Sequence, residues 1–156
     1  MHENKEVLQL NEIEDLSLVV LSCDKYSDLW DPFFYFFERN WQDCPLKKHI
    51  VSNHINANLK GFDNIKIGDD NSWSENLIKI LDRIESEYVF ITLDDLYFNK
   101  KVSTPDIIDA FSSLKALGGN YLKLIPEPKP QKRANQIFGE IKKGSLYRST
   151  AVFTIW

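Results

Sequence analysis

Two segments of this chain are apolar almost without interruption, Leu16–Leu21 and Tyr88–Leu93, and each ends abruptly at polar residues. Runs of this length, rich in aliphatic and β-branched residues, are typical of strands that are covered on both faces. A strand that faces water on one side would instead alternate apolar and polar residues. The chain is therefore constrained to a sheet that is packed on both of its faces.

Helical patterns lie between the predicted strands. Asp31-Pro32 predicts the start of a helix that runs to about Asn40, and a serine at position 72 or 74 opens a second helix. Thr104-Pro105 opens a third, which Gly118-Gly119 ends. Further strands are predicted at residues 49–53, 65–67, 121–125, 136–142 and 146–155, with a loop at 126–133. Strands that alternate with helices indicate an α/β fold with a largely parallel sheet.

Length and charge narrow the class of protein. The 156 residues fit a single domain over residues 1–156, and 19 basic against 23 acidic residues give a formal net charge of −4. We therefore expect no nucleic-acid partner, because such binders present a concentrated basic face. The first 14 residues are polar and no apolar run could span a bilayer, so we expect a cytoplasmic protein. Cys23 and Cys44 lack metal-type spacing and are expected to be free thiols.

Acidic residues follow three of the predicted strands. Asp24 comes after the first strand, Asp69 and Asp70 after the third, and Asp94 and Asp95 after the fourth. In an open α/β sheet, ligands bind outside the carboxyl ends of the strands. Carboxylates gathered there repel one another unless a cation or a donor-rich ligand is bound. Because magnesium takes one or two protein carboxylates together with phosphate oxygens, the pattern predicts a site for a metal and a diphosphate.

Each of these features also has a purely structural interpretation. Asp69 and Asp70 are followed by Asn71, and such residues commonly form turns and helix caps. Asp94-Asp95 differs because it follows a strongly apolar strand and no glycine turn comes after it. Trp73 could fill the seam between sheet and helix or stack on a base or sugar.

Three sequence words, Val20–Asp24, Ser72–Leu77 and Tyr88–Phe98, occur in an order and spacing that carry a family resemblance. Together they resemble bacterial capsule and lipopolysaccharide glycosyltransferases of the GT-A, or nucleotide-diphospho-sugar transferase, fold. The resemblance covers residues 16–156. It implies a Rossmann-type sandwich with a mostly parallel central sheet flanked by helices, in which the C-terminal part of the family's domain is truncated.

The resemblance also implies a set of site residues. The segment after the first strand would contact the nucleotide, the start of the second helix would border the ribose and diphosphate, and the acidic pair would hold a divalent metal, Mg or Mn. The expected donor-binding residues are Ser22, Cys23, Asp24, Asp70, Trp73, Ser74 and Asp94, and the expected metal ligands are Asp94 and Asp95. This chain departs from the family's pattern because its two acids are adjacent, so we expect only one to ligate the metal directly.

The expected substrates are a nucleotide-diphosphate sugar and a glycan or lipid-linked acceptor, with peripheral association at the inner face of the membrane. Members of the family continue past a segment like 147–156 into an acceptor half, so no general base can be assigned here. A non-catalytic module that binds nucleotide-sugars is therefore an alternative. A nucleotidyltransferase is a weaker one, since Ser22–Tyr26 lacks the expected glycine-rich loop. Lys129, Lys132 and Arg133 form either a solvated loop or a site for phosphate or a lipid-linked acceptor.

Overall fold

A computed structural model describes residues 13–136 and 138–156. Most of the polar first 14 residues therefore lie outside the described part. The helices are α1 (Trp30–Trp41), α2 (Trp73–Leu81) and α3 (Thr104–Ala116), and a 3-10 segment, Asp24–Leu29, leads into α1. The strands are β1 (Leu16–Leu21), β2 (Lys47–Ser52), β3 (Asp63–Lys66), β4 (Tyr88–Leu93), β5 (Leu122–Lys123), β6 (Lys132–Arg133), β7 (Gly139–Glu140) and β8 (Thr154–Ile155).

Six strands form one mixed sheet in the order β3-β2-β1-β4-β8-β5. The first four are parallel, and β8 runs antiparallel to both β4 and β5. In this register Val20 lies opposite Ile50 on one side and Thr92 on the other. The predicted α/β class with a largely parallel sheet is confirmed, and so are the bounds of β1 and β4.

The later part of the chain differs from the prediction. The segment predicted as a loop at residues 126–133 contains β6, which pairs with β7 as a small antiparallel hairpin. The strand predicted over residues 146–155 shrinks to Thr154–Ile155, inserted between β4 and β5. Two-residue strands are defined by the partner they pair with, so composition alone does not indicate them.

Both faces of the sheet are covered. On one face α1 and α3 pack against Val20 and Phe90, and their buried side chains include Phe37 and Phe111. On the other face α2 covers a smaller aliphatic cluster that contains Val19, Leu21, Val51, Ile65 and Ile80. Burying one such side chain contributes about 1.5–3 kcal/mol. The nearly continuous apolar character of β1 and β4 follows from this two-sided burial.

Two further predictions concern the state of the cysteines and the presence of a membrane-spanning helix. Cys23 and Cys44 are both free, as predicted, and burial raises the pKa of the Cys44 thiol to about 11. In the described part of the chain, no helix has the length and apolar content that crossing a membrane requires.

Candidate functional site

A cleft of about 390 Å³ opens at the carboxyl edge of the sheet, on the side that α2 covers. β2 and β3 extend from one side of β1 and β4 lies on the other, so the crevice sits where strand order reverses. Its inner wall is aliphatic and its mouth is polar. The apolar lining residues are Leu21, Val51, Ile67, Leu77, Ile80 and Leu93, and the polar or aromatic ones are Ser22, Cys23, Tyr26, Asp70, Trp73, Asn76, Asp94 and Asp95.

A chain of hydrogen bonds joins the ends of β1 and β4 to α1. The Trp30 indole Nε1–H donates to Ser22 Oγ over 2.7 Å, and the Ser22 hydroxyl donates to the Asp94 carboxylate. The Asp94 amide in turn donates to the Leu21 carbonyl over 3.3 Å. Trp30 and Asp94 are buried, with exposed fractions of 6% and 5%. These hydrogen bonds fix the position of Asp94, which lines the cleft directly after the end of β4.

The two members of the acidic pair occupy different environments. Burial raises the pKa of the Asp94 carboxyl; the Ser22 hydroxyl lowers it in part and the charge of Asp95 raises it again. Asp95 is exposed at the cleft mouth. Adjacent carboxylates of which one is desolvated favour either a shared proton or a bound cation. The pair can therefore hold a proton or a cation, with Asp95 the freely accessible member.

The start of α2 brings a second group of residues to the cleft. The Ser72 hydroxyl accepts a hydrogen bond from the Glu75 amide over 3.3 Å, so the helix begins at Trp73. Trp73 lines the cleft with 60% of its surface exposed, which is incompatible with the alternative that it fills the seam between sheet and helix. Its indole instead offers an aromatic face at the cleft mouth.

Asp70 is held against the same helix. Asn76 Nδ2 donates to Asp70 Oδ1 over 2.6 Å, and both residues line the cleft. Ser74, in contrast, is exposed and does not line the cleft; its hydroxyl lies 3.4 Å from that of Ser72. Ser74 is thus the one predicted donor-binding residue of α2 that the fold leaves outside the cleft.

The remaining two predicted acids lie elsewhere. The Asp24 carboxylate accepts hydrogen bonds from the backbone amides of Asn53 at 2.8 Å and His54 at 3.0 Å, and it does not line the cleft. Burial works to raise the pKa of Asp24, but these donated hydrogen bonds outweigh it and hold the pKa below its usual range. Asp69 Oδ1 lies 3.0 Å from His54 Nε2. Of five acids at the strand ends, the fold gathers Asp70, Asp94 and Asp95 in one place.

A divalent cation would have few protein ligands here. Within residues 13–136 and 138–156, no group of three or more His, Cys, Asp or Glu side chains is arranged to hold a metal ion. Asp94 and Asp95 together still meet the need of magnesium or manganese for one or two carboxylates when a diphosphate supplies further oxygens. The donor set therefore fits a cation that arrives with its phosphate ligand.

Two residues of this site were not predicted from the sequence. Trp30 begins an aromatic stretch, residues 30–41, which core burial mostly explains, and the structure shows that its indole N–H donates to the Ser22 hydroxyl. Tyr26 lines the cleft with 48% of its surface exposed, whereas the predicted nucleotide-binding segment ended two residues before it, at Asp24.

Comparisons with protein families, with curated proteins and with solved structures find no match to this chain. A function must therefore be inferred from the residues of the cleft and from their chemistry.

Proposed function

We propose that the chain is a glycosyltransferase domain of the GT-A type. It binds a nucleotide-diphosphate sugar in the cleft and transfers the sugar to a glycan or lipid-linked acceptor during surface polysaccharide synthesis, at the cytoplasmic face of the membrane. One observation carries the proposal: three sequence words far apart in the chain meet in a single cleft at the reversal of strand order. They contribute Ser22 and Cys23, Trp73, and the pair Asp94-Asp95.

The chemistry of the cleft supports a donor of this kind. The exposed indole of Trp73 suits stacking on a nucleoside base. The aliphatic inner wall of the cleft suits contact with a desolvated ring of the ligand. The strand order β3-β2-β1-β4 is that of a Rossmann-type half-sheet, which supports the finer assignment of the fold.

Asp95, with Asp94 behind it, would hold a magnesium or manganese ion beside the diphosphate. When bound, such an ion neutralises charge on the diphosphate as it departs. The acceptor hydroxyl forms a bond to the anomeric carbon while the bond to the diphosphate breaks, and a general base takes the hydroxyl proton. We assign no residue of this chain to that base.

A nucleotide-sugar-binding module without transfer is the second candidate, and the composition of the cleft favours it in one respect. The described lining contains no histidine, and its three carboxylates already have roles: Asp70 accepts from Asn76, Asp94 from Ser22, and Asp95 faces the donor phosphates in our proposal.

Calorimetry with uridine diphosphate and guanosine diphosphate, with and without manganese, tests the shared premise of both candidates. We expect one nucleotide to bind more tightly with manganese, and Asp95→Asn to weaken that binding about 10- to 100-fold, the loss expected for one charged contact. Asp69→Asn is the matched control because it removes an exposed carboxylate outside the cleft. If neither nucleotide binds under any condition, both candidates are wrong.

Release or transfer of labelled sugar from the bound nucleotide-sugar then separates the candidates. A glycosyltransferase turns over, and Asp95→Asn abolishes the turnover while leaving the fold intact. A binding module gives calorimetric heat but no product.

A further inference from the structure

The segment of residues 129–148, called the basic segment below, concentrates positive charge. It has six basic residues and one acidic residue, a formal charge of +5 in a chain whose net charge is −4. Only Lys132 has an ion-pair partner in the described chain, Glu140 at 3.8 Å. The basic residues are all exposed: Lys129, Lys132, Arg133, Lys142, Lys143 and Arg148. Most of this charge is therefore free to meet an anionic partner.

The same segment carries the most exposed large apolar side chains of the described residues. Leu146 is 82% exposed and Tyr147 is 79% exposed, and they lie between Lys142-Lys143 and Arg148 in sequence. Leaving a leucine in water forgoes the burial free energy that apolar side chains normally gain. An apolar pair framed by cations is complementary to a partner that has both apolar and anionic groups.

The turn that bears these residues is fixed to the hairpin. Gln131 Oε1 accepts from the Lys142 amide over 2.9 Å, and Arg148 Nε donates to the Ile141 carbonyl over 3.3 Å. The Tyr147 carbonyl accepts from Lys123 Nζ over 2.9 Å. A separate cleft of about 650 Å³ lies between the basic segment and α3. Hydrogen bonds to the hairpin and to Lys123 of β5 thus hold the turn in place.

We propose that the basic segment docks on an anionic lipid bilayer. Leu146 and Tyr147 enter the boundary between headgroups and acyl chains, and the lysines and arginines contact lipid phosphates. Tyrosine suits this depth because its ring is apolar and its hydroxyl stays hydrated. A nucleic acid fits less well, because Leu146 offers no stacking face and the rest of the chain is acidic. This inference does not depend on the proposed glycosyltransferase function.

Sedimentation with vesicles tests the proposal on the full chain. One vesicle is phosphatidylcholine alone, and the other is phosphatidylcholine and phosphatidylglycerol in equal parts. Each cation at an anionic surface strengthens binding roughly fivefold, so Lys142→Gln with Lys143→Gln lowers the partition coefficient about 25- to 30-fold. Lys60→Gln with Lys100→Gln is the matched control, since both lysines are exposed and lie outside the basic segment.

The apolar part of the proposal has its own variants. Leu146→Ser and Tyr147→Asn remove the apolar groups; asparagine tolerates the left-handed backbone at position 147, where φ is 55°. We expect each to lower binding to the anionic vesicles, whereas Ile78→Ser, at a side chain that is 59% exposed on α2, leaves binding unchanged. Circular dichroism checks that every variant is folded.

Two sets of results would overturn the proposal. In the first, the wild-type chain fails to bind anionic vesicles, or binds both vesicles equally. In the second, the lysine variants keep full vesicle binding but lose binding to a single-stranded oligonucleotide, which would assign the segment to nucleic acid. Nucleotide calorimetry on the same variants is expected to stay at wild-type values, so failure here is distinguishable from failure of the proposed function.

Discussion

Replacing Ser22 by alanine removes the link between Trp30 and Asp94. The indole N–H loses its acceptor at 2.7 Å and the carboxylate loses its hydroxyl donor. Both groups are buried: the indole N–H is left without a partner, which costs about 1–3 kcal/mol, and the carboxylate keeps its backbone donors but loses a charged hydrogen bond worth about 1.5–3 kcal/mol. We therefore expect Ser22→Ala to lower the free energy of unfolding by about 2.5–6 kcal/mol.

The decrease in the free energy of unfolding caused by Ser22→Ala should also depend on pH. The Ser22 hydroxyl stabilises the ionised Asp94 carboxylate, so without it the folded-state pKa, already raised by burial, rises further. Because the carboxyl has a higher pKa in the folded state than its unfolded value of 3.8, its protonation stabilises the fold at low pH. This stabilisation is lost as the pH rises through the folded-state pKa. The destabilisation by Ser22→Ala is therefore larger at about pH 7 than at about pH 3, where the carboxyl is protonated in both the folded and the unfolded state.

Urea unfolding at both pH values measures the effect, with Ser52→Ala as the matched control. Ser52 ends β2 and is fully buried, but its hydroxyl has no hydrogen-bond partner among the described residues. Removing it deletes the same atom without breaking a bond, so the control should be as stable as the wild type or more so. If the two variants have equal stability at both pH values, the Trp30–Ser22–Asp94 chain contributes nothing.

Two further substitutions probe buried titratable groups. Asp94→Asn keeps an acceptor for Ser22 and removes the buried charge. The decline in the free energy of unfolding that begins above pH 3.8 should therefore disappear in urea unfolding, and manganese-dependent nucleotide binding should weaken. An unchanged dependence of stability on pH would contradict the role of Asp94. His49 is 5% exposed with both ring nitrogens unpartnered in the described part, and burial lowers its pKa, so stability is lost as pH falls below 6.5. His49→Leu should raise the free energy of unfolding by about 1–2 kcal/mol and remove that loss, and a variant with the wild-type pH dependence would refute this.

Local pattern was sufficient for the elements that frame the cleft. The apolar runs of β1 and β4 encode their burial on two faces, and Ser72 encodes the start of α2 through its own hydroxyl. The placement of Asp94-Asp95 and Trp73 at one sheet edge follows from these elements and from the rule for parallel strands. The short strands were located less well: β5, β7 and β8 lie inside longer predicted strands, and β6 lies in a segment predicted as a loop, because the bounds of each depend on its pairing partner.

The sequence by itself determined the fold class, the two central strands and the edge of the sheet where the acids collect. Only the tertiary structure decided which acids share the cleft. Asp24 and Asp69 turn to the loop at residues 53–55, while Asp94 bonds to Ser22, 72 positions away in the chain. The physical reason is that burial and helix capping depend on residues that are neighbours in the sequence. The partner of a polar side chain depends instead on which distant part of the chain comes within hydrogen-bond reach.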